Sequence, residues 1–112
     1  MEKIVERTML YDFYGDLLTE HQKTVYEYIV FQDLSLSEAA QLAGISRQGV
    51  HDLVKRCDKI LEGYEEKLHL VERFLKIRES VNDLRKKLIS AYGREHLPDA
   101  VEADFRKLMD EI

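Results

Sequence analysis

The stretch SLSEAAQLAGISRQGVHDLVKR, Ser35 to Arg56, packs two helix starts and one helix stop so closely that few folds accommodate it. Ser35 precedes Glu38 by three residues, the reciprocal arrangement in which hydroxyl and carboxylate satisfy orphan amides at a helix start. Leu36, Ala39, Ala40 and Ala43 then give a short, close-packing helix, and Gly44 supplies the left-handed backbone that ends it. Ile45 is positioned to plug the gap between two helices, and Ser46 to cap the second. Small residues, one glycine and a serine at these offsets let two helices cross closely and leave the second one's outer face free. A helix-turn-helix is therefore expected, within a unit running from Leu18 to Lys59.

At about 100° per residue, Val50, Leu53, Val54, Cys57, Ile60, Leu61 and Tyr64 fall on one stripe of the second helix. Gln48, His51, Asp52, Lys55 and Lys59 point away from it, with Arg47 and Arg56 at the flanks. In a DNA reader the first turns of such a helix meet base edges. Arg47 suits guanine and Gln48 adenine, while Lys55, Arg56 and Lys59 suit phosphates. The candidate nucleic-acid-binding set is accordingly Arg47, Gln48, His51, Lys55, Arg56 and Lys59. The same residues also fit an ordinary solvated helix face or a protein-binding one, and Asp52 in their midst repels phosphate.

The net charge of −5 is unfavourable for non-specific nucleic-acid binding, but its distribution is uneven. Residues 46–94 carry 12 basic and 8 acidic side chains, whereas residues 1–45 carry 3 and 8 and residues 95–112 carry 2 and 6. A basic middle between acidic ends permits a local patch.

With one proline, five glycines, 45% hydrophobic and 35% charged residues, the 112-residue chain reads as all-α. The run VYEYIVF at 25–31 resembles a strand but sits inside a longer helical pattern. A first helix is expected over residues 2–14, its packing stripe being Val5, Met9, Leu10, Phe13 and Tyr14. Thr19 and Gln22 form a second capping box, opening a helix to about Phe31 with Val25, Tyr28 and Ile29 inward. Beyond Gly63 a helical period continues to about Ala91; Gly93 and Pro98 break it, and Asp99 to Ile112 forms a short amphipathic helix through Val101, Phe105, Leu108 and Ile112. The expected organisation is residues 1–63 as the N-terminal helices and helix-turn-helix domain, and 64–112 as a helical extension packing on it or on a second subunit.

Two stripes run along that extension. Cys57, Leu61, Tyr64, Leu68, Val71 and Leu75 form a heptad-like seam, and Phe74, Ile77, Val81, Leu84 and Leu88 form a shifted one. Two stripes need two partners: one is the domain itself, and for the other a second subunit is the expectation, a homodimer, with the C-terminal helix folding back to cover it as the alternative.

No catalytic constellation is legible. The four histidines lack metal-ligand spacing, one cysteine builds neither a zinc site nor a disulfide, and no phosphate-binding glycine loop occurs. No enzyme, metal or cofactor is expected. Cys57 on the apolar stripe reads as a buried structural thiol. Without a signal peptide or an 18-residue apolar stretch, a cytoplasmic protein with no membrane span is expected.

From about Tyr11 to Leu88 the chain resembles the YlxM-type bacterial proteins, small helical proteins with a helix-turn-helix similar to region 4 of sigma factors. The segments YDFYGDLLTEHQ, DLSLSEAAQLAGISRQGVHDLVKR and YEEKLHLVERF carry the resemblance. It implies a non-enzymatic accessory or regulatory role in the signal recognition particle pathway, inferred from neighbouring genes, with the particle's RNA or GTPase as partner. It implies Arg47, Gln48, His51 and Lys55 as the recognition positions. Sequence-specific binding of DNA by a transcription regulator is the alternative, and a protein-only adaptor a third reading.

Overall fold

Local capping chemistry is realised at all three helix starts where the sequence announces it. In the computed structural model, which describes residues 2–93 and 96–111, the helices are α1 (Lys3–Tyr14), α2 (Glu20–Val30), α3 (Leu36–Ala43), α4 (Arg47–Leu68), α5 (Leu70–Tyr92) and α6 (Asp99–Glu111). A 3₁₀ turn, Gly15–Leu17, joins α1 to α2. Both halves of the Thr19/Gln22 and Ser35/Glu38 capping boxes form, and the Ser46 hydroxyl accepts from the Gly49 amide at 2.9 Å. Gly44 ends α3 at φ 70°, its amide donating to the Ala40 carbonyl. The fold is all-α and contains the helix-turn-helix, α3–turn–α4.

The chain forms two compact units, one up to Val71 and one from Glu72 onward. In the first, α1, α2 and α3 all pack on α4. Val50, Val54, Cys57 and Leu61, one face of α4, are buried against Leu10 and Tyr14, Val25 and Tyr26, and Ala39 and Ala40. Ala39 and Ala40 allow the close approach of α3, since larger side chains there would overpack the core. Burial pushes the Cys57 thiol up to about 11, consistent with a structural rather than reactive thiol.

Several side chains of α1 and α2 face otherwise than the periodicity indicates. Val5 and Phe13 are exposed, so the buried positions of α1 are Leu10 and Tyr14. On α2 Tyr26 is fully buried, while Tyr28 and Ile29 are only half-buried. The reason is polar: the Tyr26 hydroxyl donates to Asp58 Oδ1 at 2.6 Å, and Arg7 holds the same carboxylate bidentately at 3.2 and 2.6 Å. Tyr26 also stacks on Tyr11, ring centroids 5.6 Å apart. A phenol satisfied in this way packs into a core that would otherwise reject its hydroxyl.

The long period through Gly63 is also divided differently. Gly63 lies inside α4, and the break comes at His69, in the left-handed region at φ 56°. Its stabilising contacts come from α1 and from one turn earlier in α4. The Tyr14 hydroxyl donates to Glu65 Oε1 at 2.6 Å and accepts from the Leu70 amide at 3.1 Å; Glu65 Oε1 also accepts from the Val71 amide at 2.9 Å. The first amides of α5 are thus capped by side chains of α1 and α4, which offsets the cost of an L-residue in that region.

Tyr11, Tyr14 and Tyr26 each face a carboxylate, and burial followed by that hydrogen bond raises all three phenols above their ordinary value. A native state that retains these protons is favoured fully below the ordinary tyrosine pKa. The stability is lost as pH rises past about 10, where only the unfolded chain ionises. Titration followed by tyrosinate absorption is expected to release these three protons together with the loss of helical circular dichroism. Their ionisation with helicity intact would contradict this packing.

The second unit is an antiparallel pair, α5 and α6. Arg85 holds Glu102 through two hydrogen bonds, at 2.9 and 2.7 Å, and Leu97 in the connection is buried. Val101 and Phe105 are half-buried and Leu108 is exposed; Ile112 of the expected stripe lies outside the described residues.

Candidate nucleic-acid interface

The N-terminal half of α4 owes its exposure to the turn before it. Gly44 and Ile45 reverse the chain, Ser46 caps the new helix, and α3 covers only the alanine-facing side. Arg47, Gln48, His51, Lys55, Arg56 and Lys59 are all exposed. Five of them are brought together along one edge. Arg47, Gln48 and His51 line an open groove with Ser35, Leu36 and Ser37 of the α3 start. His51, Lys55 and Lys59 continue into an adjoining groove whose other wall includes Lys3 and Arg7 of α1, Ile29 and Leu36. Arg56 lines neither groove and stands on the far flank, about 60° beyond Lys59 around the helix.

Two basic residues of this region escaped the sequence reading. Lys3 and Arg7 are four apart and so share a face of α1, a spacing that identifies them as neighbours but not as neighbours of α4. Arg7 is committed to Asp58, whose hydrogen bond raises the guanidinium pKa. The pair internalises one of the acids of the basic segment, and Lys3 is left to extend the edge formed by Lys55 and Lys59.

Asp52 is the main electrostatic obstacle, and it is not an isolated charge. Its Oδ1 accepts from Gln48 Nε2 at 2.9 Å and lies 3.5 Å from His51 Nδ1. The carboxylate therefore links two of the candidate readers, although adjacent residues point about 100° apart on a helix. It tethers the Gln48 amide while opposing an approaching phosphate. Asp52→Asn keeps an acceptor for Gln48 and removes the charge. It is expected to tighten nucleic-acid binding about 3- to 10-fold at 0.1 M salt, since a unit charge near 4 Å in water is worth about 1 kcal/mol. Unchanged or weaker binding by fluorescence anisotropy would show that the ligand does not approach this edge.

Among the described residues no cluster of three metal-ligating side chains occurs, and no helix is long and apolar enough to cross a membrane.

Comparison with known proteins bears on the same region. The family model UPF0122, described as "Putative helix-turn-helix protein, YlxM / p13 like", matches residues 1–99. A UPF0122 protein of Thermoanaerobacter sp. (strain X514) is 41% identical over 105 residues, covering 94% of this chain and 86% of that protein. A UPF0122 protein of Clostridium acetobutylicum is 39% identical over 112 residues, covering 100% and 92%. One from Geobacillus sp. (strain WCH70) is 39% identical over 95 residues, covering 85% and 86%. With the helix-turn-helix in the fold and the family match spanning most of its length, this chain belongs to the UPF0122, YlxM / p13-like family.

Proposed function

We propose that this protein is a non-enzymatic, cytoplasmic regulatory factor that binds duplex DNA through α4, with Arg47, Gln48 and His51 at base edges and Lys55, Arg56 and Lys59 along the phosphates. The observation that carries the reading is the continuous exposed edge from Ser37 through Arg47 and His51 to Lys59, at the start of the second helix of a helix-turn-helix. A B-form major groove admits such a helix, whereas the deep, narrow major groove of A-form RNA does not. The pairing of Asp58 with Arg7 supports it further, because it removes one acid from competition with phosphate.

A second reading is kept for one reason. Asp52 disfavours close groove insertion, and phosphate contact by Lys55, Arg56 and Lys59 alone suits an RNA bound by shape. Under it the protein is an accessory factor of the signal recognition particle pathway, the role that the resemblance to YlxM-type, sigma region 4-like proteins implies. The two readings separate in one experiment. Duplexes recovered by selection from a random pool, the signal recognition particle RNA and an unrelated structured RNA are titrated at physiological salt. Enrichment of a common duplex sequence, bound at least tenfold more tightly than random DNA, is the expected result. Preference for the particle's RNA over both controls would favour the second reading, and no binding of any of them at micromolar protein would overturn both.

A further inference from the structure

The α5–α6 pair cannot bury its own apolar surface. No residue of α6 is buried, and Ile77, Leu84 and Leu108 remain 48%, 51% and 44% exposed. The two helices face each other along a seam lined by Arg78, Val81, Arg85 and Leu88 of α5 and by Val101, Glu102, Phe105 and Met109 of α6, with Arg85 bonded to Glu102 across it. Ile77 and Leu84 precede the centre of that seam by about 70° on α5, and Leu108 precedes it by about 70° on α6. In two antiparallel right-handed helices, equal offsets of the same sign fall on the same side of the pair. One apolar face, two helices wide, results.

We propose that this face binds a second copy of the chain, completing a four-helix bundle in which each α5 lies across the partner copy's α6. The charge of the two helices selects this occupant. α5 carries 6 basic and 3 acidic side chains, α6 2 basic and 5 acidic. A surface with a cationic helix beside an anionic one is complementary to itself under a two-fold rotation about an axis parallel to the helices. That rotation preserves height along the axis, which the Arg85–Glu102 contact calibrates. Lys76 and Glu111 are equally far from it in the same direction, so the outer rim of α5 with Lys76 and Lys87 meets the partner copy's rim of Asp104 and Glu111. All neighbouring helices then run antiparallel, as bundles of this kind require.

The 13 residues of α6 make a face about 20 Å long and about 20 Å wide, at the small end of specific interfaces, so a micromolar dissociation constant is expected. Sedimentation equilibrium of the full chain from about 1 to about 200 μM brackets such an affinity. The mass is expected to rise from 13.2 kDa toward twice that value. Leu84→Glu and Leu108→Glu, both at exposed positions, are each expected to raise the dissociation constant at least about tenfold while helical circular dichroism is unchanged, because each buries two charges per dimer. A chain monomeric at the highest concentration, leaving the face to a different occupant, would overturn the proposal. So would a dimer that either substitution leaves intact.

Discussion

Arg47→Ala is expected to weaken binding to the preferred duplex by about 1–3 kcal/mol, roughly 5- to 150-fold, while random DNA loses much less. The guanidinium stands at the first position of α4, capped by Ser46 and open to solvent, so its removal takes away a reader without disturbing packing. Lys55→Ala is its counterpart and is expected to behave differently. A phosphate contact carries no sequence information, so selected and random duplexes should weaken by the same factor, and the slope of log K against log salt should fall by about 0.9. If both substitutions lower every affinity equally, α4 contributes charge but not reading. If neither has an effect, the edge from Ser37 to Lys59 is not the contact surface.

The largest effect on stability is expected at Asp58. Its carboxylate takes both Arg7 donors and the Tyr26 hydroxyl, joining α1, α2 and α4 at one point. Asp58→Ala orphans a fully buried phenol and a guanidinium whose side chain is only 25% exposed. Breaking a buried pair from one side costs about 3–5 kcal/mol; with the Arg7 and Asp58 side chains in partial contact with water, about 2–4 kcal/mol is expected here. For a unit of this size that corresponds to a fall in Tm of about 10–20 °C. Tyr26→Phe, which leaves the ion pair in place, is expected to cost only about 1 kcal/mol. Equal losses for the two variants would mean that the ion pair contributes nothing and the phenol everything. Thermal unfolding followed by circular dichroism distinguishes them.

Features written in local chemistry were legible in the sequence. The two capping boxes, the Gly44 stop and the Ser46 start depend on residues within four positions of one another, and all are realised. The buried face of α4 was legible as well, because Val50, Val54, Cys57 and Leu61 repeat at the helical period. Features decided by distant partners were not. Tyr26 is buried because Asp58 accepts the hydrogen bond of its hydroxyl, and periodicity alone favours its neighbours Tyr28 and Ile29. The break at His69 has no glycine or proline to announce it; it depends on Tyr14 and Glu65, which lie far away and one turn away respectively. For the interface, the exposed residues of α4 followed from angular position, whereas the contribution of α1 through Lys3 and the capture of Asp58 by Arg7 required the tertiary packing.

Amide chemical-shift mapping by NMR, with the isotope-labelled chain titrated with a selected duplex, tests the nucleic-acid interface most directly. The expected result is a cluster of perturbed amides at residues 35–37 and 46–59, with Lys3 at its edge and α6 unaffected. Perturbations confined to α5 and α6, or none at saturating duplex, would contradict it.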